Sequence, residues 1–170
     1  MGVAAAVAAL QAHVAVARVA EEACRRVATL CLEEEGNRQA AADAGLFEAV
    51  VAAMQAHQLV ADVQSNGCRA LGFVCRGTDA MGLARKQRAA EAGLFEAAVA
   101  AMQAHSQVAA VQDQGCRALG TVCYGSDAAG LARRQRAAEA GVLEAVVAAM
   151  QAHPQAMDVQ EYGCRALVNV

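Results

Sequence analysis

An internal repeat of 48 residues constrains this chain more than any other feature. Residues 45–92 and 93–140 align without a gap and differ at 11 of 48 positions. A third copy begins at Gly141 and is truncated at Val170, and residues 2–44 form an earlier, more diverged copy. Such a period predicts a stacked array in which each unit buries its apolar face against its neighbours. We therefore expect residues 1–170 to form a single repeat domain, and we expect that domain to be a fragment of a longer array.

The composition indicates helices and excludes several classes of protein. Apolar residues make up 57% of the chain but aromatic residues only 3%, and there is one proline. Small aliphatic residues with few forced breaks favour an all-α fold and argue against a β-sandwich or barrel. The net charge of −3 excludes a strongly basic nucleic-acid binder, so we do not expect a nucleic-acid partner.

The apolar runs, the cysteines and the amino-terminal residues together predict where in the cell the protein is located. No apolar run reaches the roughly 18 residues that a membrane span needs, so we expect no membrane span. Seven cysteines are an odd number, and the amino end reads as a repeat helix instead of a secretory signal. We therefore expect free thiols and an intracellular, cytoplasmic protein.

The capping and turn residues within one repeat unit predict three helices. The first contains RKQRAAEA, with an N-cap at Thr78 or Ser126 and an end at Gly93 or Gly141. The second is LFEAAVAAMQAH, and the third runs through VQDQGCRALGTVC. Each helix is short, so its stability must come mainly from stacking.

The stretch NRQAAADAGLFEAVVAAMQAH from Asn37, followed by VQSNGCRALGFVC, resembles the armadillo repeat family. The shared pattern is a short first helix that ends in Ala-Gly, an amphipathic second helix, and a third helix with an Ala-Leu pair. The resemblance implies a right-handed α-α superhelix with three helices per repeat. It also implies binding of extended partner segments along a concave groove lined by third helices.

The third helix has one variable and one constant face. Differences between copies fall on positions that, with Arg69, share a face about 100° wide at helical spacing. The opposite face is repeated nearly unchanged and is expected to be buried, with small cysteines as packing residues. The variable face defines the predicted partner-binding groove. Its candidate residues are Arg25, Arg69, Phe73, Arg76, Arg117, Thr121, Tyr124, Arg165 and Asn169.

The groove departs from the pattern of peptide-binding armadillo proteins, which hold Trp where this chain holds arginine, and Asn four residues later. The arginines are Arg25, Arg69, Arg117 and Arg165, and the following positions hold Thr29, Phe73, Thr121 and Asn169. Only Asn169 fits, so nuclear-signal recognition is not expected. Guanidinium groups bind carboxylates and phosphates bidentately, so we expect an extended, acidic or phosphorylated protein partner.

Two alternatives to this groove remain open. Arg25, Arg117 and Arg165 each follow an acid by four residues, the spacing of an intrahelical ion pair on a solvated face. The chain also begins on an apolar helix and ends on Val168-Asn169-Val170. It could therefore be a structural subunit of a larger assembly, held or self-associated through its open ends.

Other polar clusters predict no chemistry. The basic strip of Arg85, Lys86, Arg88, Arg133, Arg134 and Arg136 is interpreted as a solvated helix edge. Paired cysteines lie seven residues apart, about 10 Å by helical rise, which is too far to share a metal ion. The histidines that end each second helix are interpreted as caps. No catalytic set stands out, so we expect no enzyme activity, no cofactor and no metal.

Overall fold

The computed structural model describes residues 1–170, and the chain folds into eleven α-helices without a strand. The predicted all-α class is confirmed. The helices are α1 Val3–Ala12, α2 Ala17–Glu33, α3 Glu35–Asp43, α4 Leu46–Ala56, α5 Ala61–Val74, α6 Ala80–Glu91, α7 Leu94–Ala104, α8 Ala109–Cys123, α9 Ala128–Glu139, α10 Val142–Ala152 and α11 Met157–Asn169. None of them is both long enough and apolar enough to cross a membrane.

Left-handed glycines set the starts of α4, α7 and α10. Gly45, Gly93 and Gly141 have φ angles of 82°, 91° and 80°, a region that glycine enters without a Cβ penalty. Each ends the preceding helix and turns the chain directly into the next one. The predicted ends at Gly93 and Gly141 are confirmed.

The N-caps of α6 and α9 differ from the prediction. The caps are Asp79 and Asp127, and each carboxylate accepts a hydrogen bond of 2.9 Å from the amide three residues later. The expectation of Thr78 or Ser126 is wrong by one residue. The reason is that the aspartates have the extended backbone of a cap and reach the third amide of the helix.

The helices pack in three rows. α2, α5, α8 and α11 contact one another in that order, as do α1, α4, α7 and α10, and α3, α6 and α9. The core lies between the rows, where the predicted packing residues Leu71, Cys75, Leu119 and Cys123 are fully buried. The constant face of the third helix therefore packs as expected.

Glycines allow the helices of the α2, α5, α8 and α11 row to approach closely. A Cβ built on Gly120 would lie 3.0 Å from the Cα of Ala166, and one on Gly72 would lie 3.4 Å from the Cα of Ala118. A side chain at either position would push the neighbouring helix away.

Two buried arginines join the rows. Arg133 is only 2% exposed, and its guanidinium donates to the carbonyls of Val122 at 3.0 Å and Tyr124 at 3.1 Å, near the end of α8. Arg85 makes the equivalent bonds at the end of α5, to Val74 and to Arg76, both at 2.8 Å. The last carbonyls of a helix lack intrahelical partners, and these arginines supply them.

This finding corrects the interpretation of the basic strip. Arg85, Lys86 and Arg133 are buried, and only Arg88, Arg134 and Arg136 remain partly exposed. The strip is therefore not a solvated edge. Five of its six cations, all but Arg136, donate to backbone carbonyls, and three of these five are buried.

The histidines that follow the second helices connect neighbouring copies of the repeat. The Nε2 atom of His105 lies 2.8 Å from the carbonyl of Gln58, and that of His153 lies 2.7 Å from the carbonyl of Ser106. Each histidine occupies the C-cap position of its own helix, as predicted. Its ring, however, bonds to a carbonyl in the equivalent loop of the preceding repeat copy and not to its own helix.

Candidate functional site

A cavity of about 490 Å³ opens on the row formed by α5, α8 and α11. Six of the nine predicted groove residues line it: Arg76, Arg117, Thr121, Tyr124, Arg165 and Asn169. Gly72 and Gly120, the two glycines of the close helix approach described above, also line it. The structure thus brings most of the predicted face together at one site.

Three predicted residues lie outside this cavity: Arg25, Arg69 and Phe73. Arg25 is exposed and forms an ion pair with Glu22 at 2.6 Å, which holds the pKa of that carboxyl below its usual range. Its predicted partner, Glu21, is not used. Arg69 makes no ion pair and lies 5.7 Å from the centroid of the Phe73 ring.

Phe73 corrects the expectation of an exposed aromatic. Its side chain is only 3% exposed. The guanidinium carbons of Arg76 and Arg117 lie 4.7 Å and 5.3 Å from the centroid of its ring, within the range of cation–π contact. These arginines, together with Arg69, cover the ring, so Phe73 supports the site from below without facing a ligand.

Four cations line the cavity, and no carboxylate does. They are Arg76, Lys86, Arg117 and Arg165. Burial and the nearby charge of Arg117 lower the pKa of Arg76. Arg165 alone pairs with an acid, Glu161 at 2.7 Å, as the sequence predicted. Both partners are largely exposed, and such surface pairs contribute about 0–1 kcal/mol. The cavity therefore has a local positive charge, although the chain is acidic overall.

Lys86 is the most deeply placed of these cations. It is 2% exposed, and its ammonium donates to the carbonyl of Gly77 and lies 5.8 Å from the centroid of the Tyr124 ring. Burial lowers its pKa, and the nearby Arg133 and Arg85 lower it further. The ammonium thus has a neutral hydrogen-bond partner and no carboxylate bonded to it.

Arg117 occupies the centre of the site. It donates from Nη2 to the hydroxyl of Tyr162, and its guanidinium lies 4.2 Å from the centroid of that ring. The predicted pair with Asp113 does not form. Burial instead raises the pKa of Asp113, and its Oδ1 atom is buried without a partner. The Nε atom of Arg117 is likewise buried without a hydrogen bond.

Two polar predicted residues serve mainly to build the walls. Thr121 donates from its hydroxyl to the carbonyl of Arg117 at 2.8 Å. Asn169 donates from Nδ2 to the carbonyl of Gly120 at 2.9 Å and so joins α11 to α8. Both side chains therefore hold the shape of the cavity.

Among the lining residues absent from the predicted groove, Tyr162 and Lys86 are the aromatic and the cationic one. Tyr162 stands in a column where the earlier copies hold Glu22, Asn66 and Gln114, and an aromatic residue among polar ones was a usable signal. Lys86 had no comparable signal, because its sequence neighbours suggest a solvated edge.

The cavity also contains a thiol, Cys116, at its floor. Burial raises the pKa of Cys116 to about 12, so at neutral pH it is a protonated thiol and a poor nucleophile. No group of three or more His, Cys, Asp or Glu side chains is arranged to hold a metal ion.

Comparisons of the chain with protein-family models, with curated proteins and with solved structures gave no match.

Proposed function

We propose that this chain is an interaction module of the armadillo type, a right-handed superhelix with three helices per repeat. In this proposal the third helices bind an extended, acidic segment of a partner protein. The observation that carries the proposal is the cavity with four cations and no lining carboxylate. We assign the chain no catalytic role, and its seven free cysteines support a cytoplasmic, intracellular location.

The repeated helix rows support the extended shape of the partner. Packed helices lie roughly 8–10 Å apart, and an extended chain advances about 3.3 Å per residue. A segment that crosses the row would therefore pass one third helix about every three residues. Acidic side chains at that spacing would reach Arg76, Arg117 and Arg165 in turn, because Arg76 follows the end of α5 and the other two stand on α8 and α11.

Two of these arginines, Arg76 and Arg117, are preorganised for such contacts. Arg117 is held against the ring of Tyr162, and Arg76 against the ring of Phe73. A guanidinium already fixed by an aromatic ring loses less side-chain entropy when it binds a carboxylate. Binding should therefore depend more on these cations than on the solvated Arg25 pair.

Fluorescence polarisation with short degenerate peptides rich in Asp and Glu tests the proposal. We expect saturable binding that weakens with added salt, and about a tenfold loss in Arg76→Gln, as expected for about 1.4 kcal/mol. Arg25→Gln is the matched control, since it removes the same charge outside the cavity. Equal losses in the two variants, or equal binding of a neutral peptide library, would show that the cavity is not the binding site.

A second candidate, a structural subunit of a larger assembly, is favoured by an exposed apolar face. On α10 and α11, Leu143, Val147, Leu167 and Val168 are 37%, 40%, 37% and 81% exposed. In the preceding helices the equivalent face is covered by the next pair. Concentration-dependent sedimentation that is abolished by Val147→Lys would support this role, and a sedimentation coefficient independent of concentration would argue against it.

A further inference from the structure

The charge in the cavity exceeds what one carboxylate can balance. Arg76, Lys86, Arg117 and Arg165 supply four positive charges, and only Arg165 pairs with an acid. A phosphomonoester carries about −1.5 to −2 charges at pH 7 and three acceptor oxygens. Phosphate therefore matches both the charge and the number of donors better than an aspartate or glutamate does.

Arg117 and Lys86, which both line the cavity, have hydrogen-bond donors that no acceptor of the chain uses. The Nε atom of Arg117 is buried and has no partner. Lys86 donates to the carbonyl of Gly77, but an ammonium has three donors and burial leaves this one away from bulk water. A buried donor without a partner is unfavourable, so an anion that accepts from these groups would remove that cost.

The shape of the cavity favours a phosphate attached to a longer chain. The volume of about 490 Å³ lies in the range of ligand pockets, roughly 300–1,000 Å³, and is far larger than one phosphate group needs. Gly72 and Gly120 contribute no side chain to its lining, and Tyr124 forms a half-exposed wall at the end of α8. Residues on both sides of a phosphorylated side chain would fit in the remaining space.

We propose that this cavity binds a phosphoserine or phosphothreonine of the extended partner segment, with Arg76, Lys86 and Arg117 as its phosphate ligands. This inference rests on the proposed function, because it places the phosphate on that segment. Arg165 stands at the α11 side and adds charge to the cavity from there.

The experiment uses the full chain and three short degenerate peptide libraries that differ only at the fixed central residue: phosphoserine, serine or glutamate. Inorganic phosphate is a fourth probe, followed by NMR through the guanidinium signals of the arginines. We expect the phosphoserine library to bind about tenfold more tightly than the glutamate library. We also expect its affinity to rise as the pH passes about 6, where the phosphate loses its second proton.

Substitutions identify the site of binding. Arg76→Gln is exposed enough to leave the fold intact, and it should lower the affinity for the phosphoserine library about tenfold. Arg69→Gln is the matched control, because it removes the same charge from α5, shortly before Arg76 in the chain, but does not line the cavity. Arg165→Gln, a second exposed lining residue, should also weaken binding. Thermal melting of each variant verifies that the fold is retained.

The outcomes separate this inference from the proposed function. Equal binding of the phosphoserine and glutamate libraries would overturn the phosphate inference and leave the acidic-segment module standing. Arginine shifts with inorganic phosphate but no binding of any peptide would overturn both the module and the partner as the source of phosphate. Equal losses in Arg76→Gln and Arg69→Gln would place the phosphate outside the cavity and refute the assigned ligands.

Discussion

Alkaline pH should unfold this chain through its six buried thiols. Burial raises the pKa of each from 9.0 to about 12; they are Cys24, Cys31, Cys68, Cys75, Cys116 and Cys123. In the unfolded chain the same thiols ionise near pH 9. Between pH 9 and 12 the unfolded chain therefore binds fewer protons than the folded chain, and stability falls as the pH rises.

The size of this effect is large compared with the stability of a domain. One thiol in this window costs about 1.4 kcal/mol per pH unit, so six cost about 8 kcal/mol per unit. Lys86 acts in the opposite direction, because burial lowers its pKa and the unfolded chain then binds the extra proton. One such group offsets only one thiol. Since domains are stable by about 5–15 kcal/mol, the chain should unfold within roughly two pH units above 9.

Urea unfolding monitored by circular dichroism, with the thiols kept reduced, measures the slope of stability against pH. The matched control is the double variant of Cys68→Ala and Cys116→Ala, which removes two of the six titrating groups. It should be less stable at neutral pH because of the cavities it creates, yet lose stability about one third less steeply above pH 9. A stability independent of pH between 9 and 10, or thiolate absorbance near pH 9 in a folded chain that carries Cys164→Ser and so retains only the buried thiols, would refute the reasoning.

Three further predictions concern single positions. Gly120→Ala should destabilise the chain in urea unfolding, since the new Cβ would lie 3.0 Å from the backbone of α11. Gly36→Ala, whose Cβ meets only a side-chain atom at 3.9 Å, should instead stabilise it by about 0.5–1 kcal/mol, and the opposite order would contradict the helix spacing. A thiol reagent at neutral pH should modify the exposed Cys164 first and the other cysteines only on unfolding, as counted by mass spectrometry. Asp127→Ala should cost about 1 kcal/mol in thermal or urea melting, whereas Ser126→Ala should cost almost nothing, and the reverse result would restore the serine as the cap.

Sequence reasoning predicted the helices and the core because both depend on local and repeated signals. Leu71 and Leu119 occupy the same position in consecutive copies, and the constancy of that face marked it as buried. Gly93 and Gly141 marked helix ends because only a residue without a Cβ adopts the left-handed turn easily. These conclusions needed no knowledge of which helices touch.

The site was harder to predict because its contacts join residues far apart in the chain. The i, i+4 rule paired Arg117 with Asp113, whereas the structure places Arg117 on Tyr162, which is 45 residues later. Phe73 was expected at the surface because its helix position varies, but arginines of two helices cover it. Arg133 and Lys86 were also misjudged from local sequence. Each stands beside other charged residues, which suggests solvent exposure, but the end of another helix packs against each of them and buries it.

The joints between helices have a consequence for how such a chain can change its length. The ring bonds of His105 and His153 both span 47 residues, and the side-chain bonds of Arg85 and Arg133 to a glutamine both span 46. Donor and acceptor therefore recur together each time the sequence repeats. Duplicating residues 93–140 in frame would therefore supply each new histidine and arginine joint of this kind with a matching partner, so these joints allow the protein to grow or shorten by whole modules.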